Sequence, residues 1–299
     1  MEDALDKPHE LANGVSYASN GNTKALNSAE EELWITIRQE ASDIVSEESF
    51  LSKHLNIYIL CHGSLEHALG FLLANKLASS TLNSDDLYSI FLDALRSSRK
   101  LIESIYADLK AIKEKDPACT SYCHCILNFK GFQACQSYRV SHYLWGRGRK
   151  TLACVLQSRI SEVFDVDIHP AAKIGKGVLF DHATGVVIGE TAVVGDNVSI
   201  LHGVTLGGTG KQGGDRHPKI QDGVLIGAGA SIIGNVIVGE GAKIGAGAVV
   251  LMDIPSKTTA VGCPARLVGS RNNPSKLKDI PSETMDHVSY VLEWSDYVI

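Results

Sequence analysis

No stretch of this 299-residue sequence stays apolar for the roughly 20 residues that a bilayer crossing requires; even residues 60–77 are interrupted by His62, Glu66, His67 and Lys76. A long Lys/Arg run is missing too. With 28 basic side chains against 34 acidic ones the net charge is −6, which is not the footprint of a nucleic-acid or anionic-lipid binder. Nor is there a paired cysteine framework: seven thiols, an odd number, are scattered at Cys61, Cys119, Cys123, Cys125, Cys135, Cys154 and Cys263, as expected of a reducing compartment. Acids at Glu2, Asp3, Asp6 and Glu10 oppose the basic start of a signal peptide, so a soluble, cytoplasmic protein is expected. What is present is 44% hydrophobic residues, enough to build a globular core of one large or two ordinary domains with small molecules as partners.

Glycine divides the chain. Of 28 glycines, 20 fall within residues 166–265, a third of the length. Before that window the apolar residues recur at helical spacing, as in Leu33, Ile37, Ile44 and Leu65, Leu69, Leu72, Leu73, which predicts packed α-helices over 29–165. Residues 1–28 read as a loose, flexible leader. From Ile168 the step changes to six: Ile168, Ile174, Phe180; then Ile188, Val194, Ile200, Leu206; then Ile220, Ile226, Ile232, Val238, Ile244, Val250. One inward aliphatic per six residues, followed by a small residue at a turn, predicts a parallel β-helix over 166–269, with three repeats to each 18-residue coil of triangular section. The expected fold is α+β, an all-α half followed by a left-handed parallel β-helix and an extended, flexible tail over 270–299. Two defects interrupt the rhythm, a slip of two residues between Phe180 and Ile188 and an excess of eight between Leu206 and Ile220. The second predicts an extruded loop over residues 207–219, where solenoids place function.

Several motifs invite chemistry. GGTGK fails as a triphosphate loop, because Thr205 stands where the first glycine belongs and Gln212 where Ser/Thr should follow, yet its glycines still allow a ligand close to the backbone. Cys119, Cys123, His124 and Cys125 have no zinc-site spacing and read as buried thiols, with no metal expected. Asp116-Pro117 reads as a helix start, Asp capping and Pro at the first position, with a second carboxylate oxygen left for a ligand. More informative are His169, His182, His202 and His217 beside Asp167, Asp181 and Arg216, since a prism axis cannot hold them and its edges can. Asp167 and His182 lie 15 residues apart, close to one coil, which predicts a carboxylate that orients an imidazole base. Cys263 lies beyond the last repeat, and Ser199, Ser231 and Ser256 sit in no nucleophile motif, so direct transfer between two bound substrates is expected rather than a covalent intermediate. Arg216-His217 can clamp a carboxylate while Asp116 or Asp181 holds an ammonium, a set that fits a small hydroxylated zwitterion.

DVDIHPAAKIGKG, FDHATGVVIGETAVVGDNVSI, VTLGGTGKQGGDRHPKI and GAGAVV, with DPAC and KGFQACQSYRVSHYLW upstream, closely resemble serine O-acetyltransferase of cysteine biosynthesis. The resemblance spans residues 116–269. It implies acetyl transfer from acetyl-CoA, as co-substrate, to the L-serine hydroxyl, with His182 as base and Asp167 as its orienting acid. It also implies a serine pocket of Asp116, Asp181, Arg216 and His217 with Glu190 nearby, and CoA contacts at Gly208, Gly210, Ala228, Lys243, Ala246 and Thr259 between adjacent subunits. The oxyanion donor stays open between a glycine-loop N–H and a histidine. A homotrimer or a dimer of trimers is implied, as are L-cysteine as feedback inhibitor and capture of the tail, through Tyr297, Val298 and Ile299, by O-acetylserine sulfhydrylase. Three other readings stand beside it: a hexapeptide acyltransferase with another acceptor, a zinc β-helix lyase of the carbonic-anhydrase type, and a noncatalytic scaffold for the sulfhydrylase.

Overall fold

The computed structural model describes residues 28–210, 213–270 and 273–288. Its first half is helical: α1 (Ser28–Glu47), α2 (Ser52–Leu55), α3 (Leu65–Leu77), α4 (Ser84–Ser97), α5 (Arg99–Lys115), α6 (Tyr122–Asn128), α7 (Lys130–Gly146) and α8 (Lys150–Phe164). Side-chain caps start three of these helices: Asn83 accepts from Asp85 N at 2.7 Å, Ser98 from Leu101 N at 3.3 Å and Ser121 from His124 N at 3.0 Å. The predicted helical stripe is buried, including Leu33, Ile37, Leu65, Leu69, Leu72 and Leu73. Among the helices are also buried Cys119, Cys123, Cys125 and Cys135, and burial pushes the thiols of Cys123 and Cys135 up to about 12. Among the described residues no helix is long and apolar enough to cross a membrane.

Asp116 does not start a helix. It ends α5, and its Oδ1 accepts from Ala118 N at 2.8 Å in a local turn, while Ser121 caps the following helix instead. Proline at the next position suits a turn as well as a first helical turn, and two residues of sequence do not distinguish them.

The second half is a three-sided parallel β-helix. Its first face stacks Val166–Ile168, Val186–Ile188, Thr205–Gly207, Ser231–Ile233 and Val249–Val250. The second stacks Lys173–Ile174, Val193–Val194, Lys219–Ile220 and Ile237–Val238, and the third Leu179–Asp181, Ser199–Leu201, Leu225–Ile226, Lys243–Ile244 and Thr259–Val261. Ile188, Val194, Ile200, Leu206, Ile220, Ile226, Ile232, Val238, Ile244 and Val250 fill the axis. Both interruptions have structural counterparts. Asp167 is registered on Val187, 20 residues on, Val187 on Thr205, 18 on, and Val193 on Lys219, 26 on. Beyond the loop the step is 18 again, with Lys219 registered on Ile237.

A buried ion pair fastens the two halves. Asp108 on α5 is fully buried and receives Arg139 Nε at 2.9 Å, Gln136 Nε2 at 3.0 Å and the backbone N–H of Val178 at 3.0 Å. Arg139 on α7 donates in turn to the carbonyls of Gly175 at 2.6 Å and Ile174 at 3.3 Å. Beside it, Gly131 of α7 meets the first coil so closely that a Cβ there would overlap the Phe180 carbonyl.

The tail is not simply extended. Gly269–Ser270 pairs antiparallel with Asn273–Pro274, and a helical turn, α9 (Pro281–Thr284), follows. This segment lies across the third face, where Ser199 Oγ donates to Ser282 O at 3.2 Å and Lys243 Nζ meets Asp286 at 3.0 Å. The leader over 1–27 and Tyr297, Val298 and Ile299 lie outside the described residues.

Candidate active site

The edge where the third face turns into the first carries the candidate base. There the slip of two residues is taken up, and His182 (φ 55°) and Ala183 (φ 60°) adopt left-handed backbone, which costs a non-glycine residue about 1–2 kcal/mol. Short hydrogen bonds hold the bend, Ala183 N to Asp181 O at 2.6 Å, Thr184 N to His182 O at 2.8 Å and Gly185 N to Asp165 O at 2.8 Å. The result is an imidazole 77% exposed on an otherwise regular prism. Its Nε2 lies 3.7 Å from Asp181 Oδ1, and its ring stands edge-on to His202 one coil above, centroids 6.0 Å apart. Higher on this histidine edge come Ala228 and Ala246, linked by Gly203 N to Thr184 O, Gly229 N to His202 O and Gly247 N to Ala228 O.

Asp167 and His182 are not hydrogen-bonded. The first coil is 20 residues long, so an offset of 15 stops short of a full turn, with Asp167 on a strand of the first face and His182 on the bend that follows the third. Asp167 Oδ1 accepts instead from Gln157 Nε2 of α8 at 2.7 Å, and the carboxylate beside His182 is Asp181. The closing bond from Gly185 to Asp165 nevertheless keeps Asp167 at the same end of the prism. Gln157 and Asp167, with Cys154, Ser158, Ser161 and Glu162, line a groove of about 610 Å³.

The next edge, where the first face turns into the second, carries the candidate clamp. Arg216 pairs with Glu190 at 2.8 Å, and this guanidinium holds the Glu190 carboxyl below its ordinary range. His217 is buried beside them, so close to Gly189 that a Cβ on that glycine would overlap its Nε2. Burial, then the charges of Arg216 and Lys219, lower its pKa. His169, one coil below and stacked edge-on against Trp145 at 5.2 Å, is lowered by burial as well. Gly208 and the exposed Gly210, in left-handed backbone at φ 93°, open the extruded loop here. Both edges border the first face, whose three-residue strands keep them about 10 Å apart at ~3.3 Å per residue. In a single chain Asp181 and His182 thus lie on one edge and Glu190, Arg216 and His217 on the other.

Two of the expected CoA contacts are buried in this chain. Lys243 and Thr259 are registered on each other in the third face and are each 2% exposed, beneath the docked tail, with Lys243 committed to Asp286. The six-residue step located the residues and had no means of showing that the tail folds back over them. The same tail brings His287 near Asp181 and Lys243, whose charges act on it in opposite senses after burial has lowered its pKa.

A family model described as "Serine acetyltransferase, N-terminal" matches residues 33–137, and one described as "Bacterial transferase hexapeptide (six repeats)" matches residues 217–251. Serine acetyltransferase 1, chloroplastic, of Arabidopsis thaliana is 60% identical over 270 residues, which are 90% of this chain and 86% of that protein. The chain belongs to the serine acetyltransferase family. Solved serine acetyltransferases agree: the soybean enzyme complexed with serine superposes with a TM-score of 0.79 at 62% identity, covering 82% of this chain and 100% of that one. A serine acetyltransferase in complex with cysteine gives a TM-score of 0.83 at 48% identity, covering 90% and 100%.

Within this chain, Gln157 and Thr191 hold named site groups without having been singled out in the sequence, and His169, which was, lies near Glu190. Gln157 holds Asp167, and its helical spacing from Cys154 and Ser161 was the available signal. Thr191 ties down the end of the loop, and His169 lies beneath Glu190; only the stacking of coils reveals either relation. Among the described residues no group of three or more His, Cys, Asp or Glu side chains is placed to hold a metal ion.

Proposed function

We propose that this chain transfers an acetyl group from acetyl-CoA directly to the hydroxyl of L-serine in a site built between two copies. The observation that carries the reading is the division of the site over two edges: Asp181 and His182 on one, Glu190, Arg216 and His217 on the other. Closing a ring of three copies edge to edge unites them. Apolar side chains exposed at and above the first face, Val187 and then Leu251 and Met252, suit such an interface. His182 takes the serine hydroxyl proton as the oxygen attacks the thioester carbonyl; the tetrahedral intermediate then expels the CoA thiolate, which receives that proton from the imidazolium. Asp167, with Oδ2 still open once Gln157 holds Oδ1, orients the ring as substrate draws it inward. Asp116 and Asp181 hold the serine ammonium, Arg216 its carboxylate, and Gly208, Gly210, Ala228 and Ala246 border the CoA path. L-Cysteine, differing from serine by one atom, competes for the same pocket.

Arg216→Ala is expected to raise the KM for serine with little change in kcat, measured as CoA release. Co-refolded with inactive His182→Ala chains, the Arg216→Ala chains should regain activity, because some interfaces then pair an intact histidine edge with an intact clamp. No recovery above the sum of the two variants would exclude a shared site.

We further propose a cytoplasmic location, on the seven scattered thiols that suit a reducing compartment, and capture of the carboxyl terminus by O-acetylserine sulfhydrylase, its terminal carboxylate standing in for that of an amino acid. Deleting Ile299 should abolish co-purification with the sulfhydrylase and leave acetyl transfer intact. Unchanged co-purification would remove that role from the tail.

A further inference from the structure

Thr191 sits at the clamp edge immediately after Glu190 and makes five hydrogen bonds to the end of the extruded loop, one of them its carbonyl accepting from Lys219 Nζ at 2.8 Å. Its Oγ1 accepts from the backbone N–H of Arg216 at 3.0 Å and of His217 at 3.1 Å. With both lone pairs engaged, the hydroxyl proton is left for an acceptor: His217 Nδ1 stands 2.8 Å away, and the Asp215 carboxylate, which Thr191 also helps to hold below its ordinary range, is the other one on the loop. The backbone N–H of Thr191 points to the same Nδ1 at 3.2 Å. An amide N–H only donates, so Nδ1 has to be the unprotonated nitrogen and the ring proton resides on Nε2.

We infer that Thr191 is a positioning residue that fixes His217 as a neutral imidazole with an Nε2–H donor, so that His217 gives a hydrogen bond to a negatively charged substrate oxygen and never acts as a base. Among the described residues Nε2 has no hydrogen-bond partner, and it packs against Gly189 and Gly208, where an added Cβ would overlap it and stand 3.2 Å from it, respectively. The groups acting on His217 are Arg216 and Lys219, which oppose a second proton, Glu190 and Asp215, which favour it, and the His169 ring, which opposes it. Burial adds to the opposing side, and protonating Nδ1 would set an N–H against the Thr191 amide. The site thereby keeps two imidazoles in separate roles, the exposed His182 to take a proton and His217 to give a hydrogen bond.

The role assigned to His217 rests on the acetyl-transfer reading, but its tautomer does not. In ¹⁵N-histidine spectra of the full chain without substrates, His217 should show the Nε2–H pattern unchanged from pH 6 to 8. Thr191→Val should shift it toward a tautomer mixture, and Thr191→Ser should restore it. In the assay Thr191→Val should impair serine use about tenfold, the scale of one lost hydrogen bond, without altering the KM for acetyl-CoA, and Thr191→Ser should recover it. An effect confined to KM places the accepting oxygen on the serine carboxylate, and one confined to kcat places it on the tetrahedral oxyanion; either supports a donor. An Nδ1–H pattern, titration of His217 between pH 6 and 8, or a Thr191→Val enzyme with unchanged kinetics would overturn the inference. If the wild-type chain makes no O-acetylserine while the spectrum is as expected, it is the acetyl-transfer reading that has failed.

Discussion

Replacing His182 by alanine should lower kcat by about 10²–10⁴-fold, the usual worth of a positioned base, while acetyl-CoA still binds. CoA release measures the first and calorimetric titration the second. The split is expected because His182 stands exposed on its bend, with Asp181 3.7 Å away, and fills no part of the core. Removing it leaves the prism and both edges in place. Alignment of two bound substrates, worth up to roughly 7–11 kcal/mol in favourable systems, also survives, so some residual rate should remain. Turnover near that of the wild type would remove His182 from the mechanism. Asp167→Asn should give a smaller fall in kcat, since it disturbs the orientation of the ring and leaves the ring itself.

The second large effect concerns stability. Asp108→Ala should cost about 3–5 kcal/mol in denaturant unfolding, because it leaves the Arg139 guanidinium buried without its counter-charge and frees the N–H of Val178. The double variant Asp108→Leu, Arg139→Met should recover part of that loss, since it removes the unpaired charge while the Val178 N–H and the Gly175 and Ile174 carbonyls still lose their partners. A single variant within about 1 kcal/mol of wild type would mean that the two halves are held by their apolar contacts alone. Activity should fall together with stability, for the clamp joins α5 and α7 to the coil that bears His182.

The joint between the two building plans was legible because helical spacing and the six-residue step are local periodicities, and α8 ends at Phe164, beside the expected boundary at 165. The slip of two and the excess of eight were legible for the same reason. Asp108 and Arg139 were not, since neither stands in a motif and their meaning arises from a contact across 31 positions. Asp167 and His182 were a partial success. Their nearness follows from the coil, but the hydrogen bond does not, because the slip that exposes His182 also lengthens the rung that separates them. The pairing of Lys243 with Asp286 was not legible, because the docked segment carries no repeat. Thr191 escaped notice as one small corner residue among many until the loop was seen to return onto it.

The lengthened first coil bears on how such a scaffold acquires chemistry. A stack of rungs in which each touches only the next absorbs a local insertion without disturbing the rung above, as the 18-residue steps from Val187 to Thr205 and from Lys219 to Ile237 show. Gain or loss of a reactive side chain at an edge can then proceed by a change in length at one bend, with the aliphatic column untouched. Among proteins sharing this prism, indels at bends should mark changes of reaction more faithfully than substitutions along the faces.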